Sequence, residues 1–215
     1  ETEGTDEEPL TADHAARMQQ FIQYFKEQAP DLDLVYYDSM TVDGKMDWQN
    51  ALTEENLAYL VSEDGDPVAD AMFLNFWWTS DTLADQELLK KSAALASENG
   101  INPYDLYAGV DIQSEGYNTE IKWDLFENEE GGTYTSLGLY CPSWAYADTI
   151  QNFWKQENKL WVNSMGDPSA DVKKLSNTQW KGISSYIVER TPLTSLPFVT
   201  NFSTGNGYSF FKNGR

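Results

Sequence analysis

The chain has 215 residues, of which 35 are acidic and 14 are Lys or Arg, so its formal net charge is −21 at pH 7. A surface of this charge repels nucleic-acid phosphates and anionic lipid headgroups, and we therefore exclude nucleic acid as a partner. The longest apolar run, around 71–78, has about eight residues, well short of the roughly 20 that a membrane helix needs. We predict no membrane span.

The counts of cysteine and histidine limit the possible chemistry. Cys141 is the single cysteine, so an internal disulfide is excluded. His14 is the single histidine, and its place in the first turn of a predicted helix favours a solvent-facing position over catalysis. Ser-His-Asp and Cys-His sites would depend on that residue, and metal clusters built on several imidazoles are excluded by count. We expect no metal and no other cofactor.

The first residues, ETEG, form an acidic segment with neither basic nor long apolar character. They do not fit a signal peptide, and we expect the chain to begin partway through a longer protein. Aromatic residues make up 14% of the sequence, including eight Trp and twelve Tyr. Because Trp and Tyr near polar residues stack on the apolar C–H faces of sugar rings, this composition modestly favours a carbohydrate substrate.

Helix and strand patterns alternate through residues 1–165. Apolar residues at helical spacing predict helices at 13–29, 53–61, 80–99 and 149–161. Near-continuous apolar runs predict buried strands at 34–37, 71–78, 106–113 and 137–144. This alternation indicates an α/β domain with a parallel sheet and crossover helices.

Two architectures fit that α/β pattern. Four units do not close an eight-stranded barrel of about 250 residues, so the sheet is either open and doubly wound or the second half of a barrel. No Gly-rich phosphate motif follows any strand, which weakens the nucleotide-binding version. From residue 166 a polar linker leads into short alternating apolar runs, typical of β structure. We therefore predict a first domain at 1–165, and a linker with the beginning of a β-rich domain at 166–215.

Polar side chains near the predicted strand ends are the candidates for chemistry, because parallel barrels carry their active sites at the carboxyl ends of the strands. Cleavage of a glycosidic bond needs an acid and a nucleophile, which is a second carboxylate or the substrate's own acetamido group. Asp38 and Asp111 are strand-end carboxylates, each as well explained by structural hydrogen bonding as by catalysis. Asn75 interrupts an apolar strand and is either a core residue or a ligand-positioning residue.

Several tryptophans are candidates for stacking on a sugar. Trp77 and Trp78 are expected on opposite faces of a strand, one packed under a helix and the other near the barrel mouth. Trp48 follows a Gly turn and is the better stacking candidate, whereas Trp154 and Trp161 are expected in the core.

Several long motifs resemble family 85 of the glycoside hydrolases, the endo-β-N-acetylglucosaminidases. The run VYYDSMTVDGKMDWQNALTEEN resembles the family's WYDS…G…WQN segment, and the runs MFLNFWW and LYAGVDIQ resemble two of its strands. LGLYCPSW and QWKGIS match as well. The similarity covers essentially the whole chain and keeps the order of the motifs.

This resemblance implies a TIM (β/α)8 barrel, here its C-terminal half, followed by the start of a β-sandwich domain. It implies cleavage of the GlcNAc-β-1,4-GlcNAc core of N-glycans with retention, in which the substrate acetamido group forms an oxazolinium intermediate, with transglycosylation as a possible second outcome. The family uses an Asn-x-Glu pair, whose Glu resembles Glu1 as general acid and base. The Asn would then lie two residues upstream of Glu1.

The resemblance also assigns supporting residues. Tyr37 matches a tyrosine that supports the acetamido group and its oxazolinium form. The expected substrate-binding residues are Trp48, Asn75, Phe76, Trp77, Asp111, Gln113 and Tyr140. The protein is expected to act on N-linked glycans as a monomer, either secreted or at the cell surface, or in the cytoplasm.

Two other functions stay open at this point. A non-catalytic carbohydrate-binding or lectin-like barrel would lack the Asn-x motif before Glu1. An unrelated chitinase-type barrel would instead carry Asp-x-Glu there.

Overall fold

The described structure is built around a sheet of four parallel strands. A computed structural model describes residues 4–146, 150–187 and 195–197. The strands are β1 (Val35–Tyr37), β2 (Ala71–Leu74), β3 (Leu106–Asp111) and β4 (Ser136–Tyr140). Their order in the sheet is β1-β2-β3-β4, so each strand pairs with the next one in the sequence. The predicted α/β class with a parallel sheet is confirmed.

In the part of the chain that the structure describes, three α-helices accompany the sheet: α1 (Ala12–Gln28), α2 (Leu88–Glu98) and α3 (Ile150–Trp161). At the start of α1 the Thr11 amide donates to Nδ1 of His14 at 3.2 Å, and His14 is exposed as predicted. Within the ranges that the structure describes, no helix has the length and apolarity required to cross a membrane.

Two predicted helices differ from the observed ones. Residues 53–61 contain only a short 3-10 helix, Leu57–Tyr59, because Oδ1 of Asn56 takes the Thr53 amide and Val61 turns to pair with Pro67. The helix expected from residue 80 begins eight residues later, at Leu88. The left-handed backbone of Glu87, with φ at +51°, separates it from the turns before it.

The two faces of the sheet differ in burial. Side chains on one face are buried against the surrounding loops and helices: Met72, Leu74, Leu106, Ala108 and Val110. Alternate residues point to the opposite face, which carries Val35, Tyr37, Phe73, Tyr107, Asp111 and Tyr140. On that face Val35 is 50% exposed and Tyr140 is 46% exposed.

Residues that follow α3 pack onto the same body as the sheet. The Trp180 indole is buried and donates to the Leu160 carbonyl at 2.7 Å, and its ring lies 5.4 Å from that of Trp123. Part of the predicted β-rich domain, 188–194 and 198–215, lies outside the described residues, so the division at 165 stays a prediction. The expectation that Trp154 and Trp161 are core residues is wrong, since they are 43% and 44% exposed. Leu160 is 4% exposed and belongs to the core, and the helical step of about 100° turns the next residue, Trp161, away from that face.

Candidate functional site

A row of four aromatic rings crosses the open face of the sheet toward the carboxyl ends of its strands. The ring centroids of Tyr37 and Phe73 are 6.0 Å apart, those of Phe73 and Phe76 are 5.7 Å apart, and those of Phe76 and Tyr140 are 5.5 Å apart. We call Tyr37, Phe73, Phe76 and Tyr140 the aromatic row. It extends from the end of β1 to the end of β4 and gives the site an apolar floor.

Two glycines seat the ring of Phe73 within this row. A Cβ atom on Gly109 would lie 2.7 Å from Cε1 of Phe73, and one on Gly138 would lie 2.5 Å from Cε2. Such distances are well inside van der Waals contact, so any larger residue would displace the ring. No role for Phe73 was predicted from the sequence. Its register partners are Tyr37 and Tyr107, whereas the glycines beside its ring lie on β3 and β4.

Tyr37 and Asn75 are joined at the centre of the site. The Tyr37 hydroxyl donates to Oδ1 of Asn75 at 2.7 Å, and Asn75 is only 4% exposed. Asn75 follows β2, which ends at Leu74, so the prediction that it interrupts the strand is corrected. Its amide therefore lies where the buried strand meets the open site, with its orientation fixed by the tyrosine.

Asp38 is buried directly after β1 and serves as a hydrogen-bond acceptor. Its Oδ2 accepts from the Asn50 amide at 2.6 Å, and its Oδ1 accepts from the Gln49 amide at 3.3 Å and from Nδ2 of Asn56 at 3.0 Å. Burial raises the pKa of this carboxyl to about 6, opposed by the hydrogen bonds from Asn56, Asn50 and Gln49. These contacts support a structural role for Asp38 over a catalytic one, because its carboxylate holds the 49–56 loop against the end of β1.

Trp48 and Trp77 are partly exposed and lie on the segments that follow β1 and β2. Trp48 is 37% exposed and Trp77 is 62% exposed. Trp77 lies in a 3-10 helix, Trp77–Thr79, and not in a strand as predicted. Trp78 in the same turn is 1% exposed and donates its indole N–H to the Gly109 carbonyl at 2.8 Å. The two tryptophans of this turn therefore differ in burial, and the expected position of one of them near a barrel mouth stays a prediction.

The remaining predicted residues lie at the ends of β3 and β4. Oδ1 of Asp111 accepts from the Gln113 amide at 2.9 Å, and the Gln113 side chain donates to Sγ of Cys141 at 3.4 Å. A hydrogen bond with Cys141 raises the pKa of Tyr140. Asp111 is exposed and lines a cavity of about 460 Å³, together with Phe76 and Trp77. Cavities of this size suit small-molecule ligands.

Polar residues from two loops also line that cavity. Nζ of Lys122 lies 2.7 Å from Oδ1 of Asp81, and the Lys122 amide donates to Oγ1 of Thr79 at 2.8 Å. These contacts tie the loop after β2 to the loop after β3. Among the side chains that the structure describes, no group of three or more His, Cys, Asp or Glu converges where a metal ion could bind.

Comparison with known proteins decides the family. The model of Glycosyl hydrolase family 85 matches residues 1–210. The chain belongs to this family. The predicted family is therefore confirmed, and with it the assignment to the glycoside hydrolases.

The curated relatives of this chain include proteins named cytosolic endo-β-N-acetylglucosaminidase. The one from Danio rerio is 26% identical over 205 residues, covering 91% of this chain and 24% of the relative. The one from Homo sapiens is 24% identical over 212 residues, covering 94% of this chain and 23% of the relative. The chain spans about a quarter of the length of these curated relatives.

A solved family structure is also similar. The crystal structure of the glycoside hydrolase domain of Endo-D from Streptococcus pneumoniae R6 has a TM-score of 0.70 and 30% sequence identity. The match covers 83% of this chain and 28% of that chain.

The structure of this family 85 chain brings most of the predicted site residues to one end of the sheet. Tyr37, Phe76 and Tyr140 belong to the aromatic row, and Asn75 joins it through Tyr37. The other predicted residues lie on the adjoining loops or the end of β3: Trp48, Trp77, Asp111 and Gln113. Glu1 lies outside the described residues. Phe73 and Asn50 had no role predicted from the sequence.

Proposed function

We propose that the protein carrying this chain is an endo-β-N-acetylglucosaminidase that cleaves the GlcNAc-β-1,4-GlcNAc core of N-glycans. The observation that carries the proposal is the Tyr37–Asn75 hydrogen bond at the strand ends of a family 85 chain. It fixes two neutral polar groups beside an aromatic floor, as a neutral acetamido sugar requires. The names of the relatives support the same activity and substrate class.

The proposed architecture is the C-terminal half of a (β/α)8 barrel, with a β-rich domain beginning after residue 165. In support, the four strands follow sequence order without the reversal that defines a doubly wound sheet. Their open face also carries aromatic and small residues, whereas parallel sheets are normally covered on both faces.

The proposed reaction begins with attack by the acetamido oxygen on the neighbouring anomeric carbon. The C–O bond to the second GlcNAc breaks, Glu1 protonates the departing oxygen, and an oxazolinium ion forms. Water then attacks the anomeric carbon while Glu1 accepts its proton. The bond from that carbon to the acetamido oxygen breaks and the acetamido group is restored, so configuration is retained after two inversions. Glu1 is assigned here by its resemblance to the family's Asn-x-Glu motif.

Tyr37 is proposed to support the acetamido group during this step. Its hydroxyl proton is directed to Asn75, so its oxygen is oriented to accept from the acetamido N–H. That N–H becomes more acidic as the oxazolinium forms, and an acceptor fixed in advance stabilises the developing positive charge. A neutral phenol does this without placing a competing charge beside the anomeric carbon.

The aromatic side chains are proposed to bind the sugars and to exclude water. Trp48 and Trp77 offer exposed indole faces, and sugar C–H groups pack on such faces. Removal of water from around a carboxyl disfavours its charged form, which would keep Glu1 protonated near neutral pH. We further propose that Asp111, Gln113 and Tyr140 contact the glycan from the ends of β3 and β4.

N-linked glycans of glycoproteins or glycopeptides are the proposed partners, and a monomer is the proposed state. The relatives are named cytosolic, which favours the cytoplasmic location and gives no support to the secreted one.

The proposed role of Glu1 is tested in the full-length protein with a glycopeptide that bears a high-mannose N-glycan. Glu1→Gln should lower the rate of glycan release by a factor of about 100 or more, the range that general acid–base catalysis contributes. Glu3→Gln is the matched control, because it removes a carboxyl two residues away, and it should release glycan at close to the wild-type rate. Full activity in Glu1→Gln would remove Glu1 from the mechanism.

A further inference from the structure

Asn50 connects the two loops that carry the exposed tryptophans. Its Nδ2 donates to the Trp48 carbonyl at 3.0 Å, and its Oδ1 accepts from the Trp77 amide at 3.0 Å. One amide side chain thus bridges backbone groups that lie on the loops following β1 and β2.

Asn50 is itself held on the protein side. It is 6% exposed, and its backbone amide donates to the buried Oδ2 of Asp38 at 2.6 Å. Its φ of +55° lies in the left-handed region, where Asn is one of the few residues other than Gly that is readily accommodated. Three hydrogen bonds therefore fix Asn50. Its backbone amide bonds the Asp38 carboxylate, and its side chain bonds the Trp48 carbonyl and the Trp77 amide.

The exposed indole rings depend on this backbone for their positions. Trp77 is 62% exposed and Trp48 is 37% exposed, so neither ring is surrounded by core packing as Trp78 is. Where packing contacts are few, the direction of a side chain follows from the backbone that carries it. A shift of either loop relative to the other would change the separation of the two rings.

We propose that Asn50 is a positioning residue that sets the spacing of Trp48 and Trp77, and through it the binding of the second GlcNAc of the chitobiose core. The inference rests on the proposed function, in which these two rings bind the sugars, and it assigns them to the sugar on the leaving-group side. Asn50 does not touch the reacting atoms and acts through the two tryptophans.

Two substrates separate this role from a general structural one. A glycopeptide carries both GlcNAc residues, whereas a sugar oxazoline made from the released glycan carries only the first. A defect confined to the leaving-group side should raise the KM for the glycopeptide and leave hydrolysis of the oxazoline unchanged. A loss of folded protein would lower both activities in proportion.

Asn50→Gly is the variant of choice, because Gly adopts positive φ without strain while losing both side-chain hydrogen bonds. In the full-length protein it should raise the glycopeptide KM roughly ten-fold, corresponding to about 1.4 kcal/mol. Its kcat/KM for the oxazoline should stay within about two-fold of wild type, a change of no more than roughly 0.4 kcal/mol.

Asn163→Gly is the matched control. Asn163 is also buried and also bonds loop backbone, accepting from the Met165 amide at 3.1 Å and donating to the Asp167 carbonyl at 2.8 Å. It should change neither kinetic constant in the protein that remains folded. If Asn50→Gly does not fold, Asn50→Asp replaces it, because it keeps the acceptor for Trp77 but has no donor for Trp48.

The outcomes are distinct. An unchanged glycopeptide KM in a folded Asn50 variant, or an equal loss on both substrates, overturns the positioning role alone. A wild-type protein that releases no glycan overturns the proposed function and this inference with it.

Discussion

Replacing Tyr37 with Phe removes one hydroxyl from the centre of the candidate site and leaves the ring in place. That hydroxyl donates to Oδ1 of Asn75 at 2.7 Å, and Asn75 is 4% exposed. A buried acceptor that loses its donor costs about 1–3 kcal/mol. If the full effect falls on the transition state, a loss of about 2 kcal/mol lowers kcat/KM roughly thirty-fold.

Tyr36→Phe is a stringent control for this change, since it removes the same group from the adjacent residue. Tyr36 lies on the opposite face of β1, stacked on Tyr59 at a centroid distance of 4.1 Å, and its hydroxyl donates to the Met40 carbonyl at 3.2 Å. Its loss should lower the free energy of unfolding by about 1 kcal/mol, the net worth of an ordinary hydrogen bond. It should leave glycan release within about two-fold of wild type.

The assay is the initial rate of glycan release from a glycopeptide by the full-length protein, with thermal unfolding followed in parallel. A double-mutant cycle with Asn75→Ala should give a coupling energy of about 1–2 kcal/mol between residues 37 and 75, as expected for groups in direct contact. Equal rates for Tyr36→Phe and Tyr37→Phe, or a coupling energy near zero, would refute the reasoning.

Two further predictions concern the support of the site. Gly138→Ala places a Cβ 2.5 Å from the Phe73 ring, and it should destabilise the fold by about 1–3 kcal/mol and slow glycan release. Gly132→Ala is the control, because its Cβ meets the nearest side-chain atom at 3.4 Å, and it should have neither effect. Equal thermal unfolding temperatures for the two variants would contradict the close packing of Phe73 against Gly138. Asp38 has a folded-state pKa of about 6, above its ordinary value of 3.8, so the folded protein binds more protons between these pH values and loses stability as pH rises through them. The difference in unfolding free energy between wild type and Asp38→Asn, measured by urea denaturation, should therefore fall by about 2 kcal/mol from pH 4 to pH 7, and a difference independent of pH would contradict the raised pKa.

The positions of strands and of the residues at their ends follow closely from local sequence. Apolar runs of strand length specified β1 to β4, and a parallel sheet necessarily brings the carboxyl ends of its strands to one edge. Tyr37 and Asp111 were therefore predicted at that edge without knowledge of the tertiary structure. Strand ends were less exact: the run that begins at Ala71 leaves the sheet after Leu74, because the chain turns into a 3-10 helix at Trp77.

Contacts between distant loops were not predictable in this way. Asn50 and Trp77 are 27 residues apart, and no local pattern shows that the amide of one meets the backbone of the other. The structural role of Asp38 was likewise not predictable, because the groups that donate to its carboxylate come from residues 49–56, beyond an intervening loop. The seat of Phe73 depends on glycines from two later strands. Such features arise from packing between distant segments, and the hydrophobic periodicity of a single segment does not reveal them.

The site of bond cleavage is the most direct test of the account. The full-length protein is incubated with a glycoprotein that carries high-mannose N-glycans, and the mass of the protein product is measured. Cleavage within the chitobiose core predicts that one GlcNAc remains on each processed asparagine. Glycan that stays intact while bound to the protein, or loss of both GlcNAc residues together, would contradict an endo-β-N-acetylglucosaminidase.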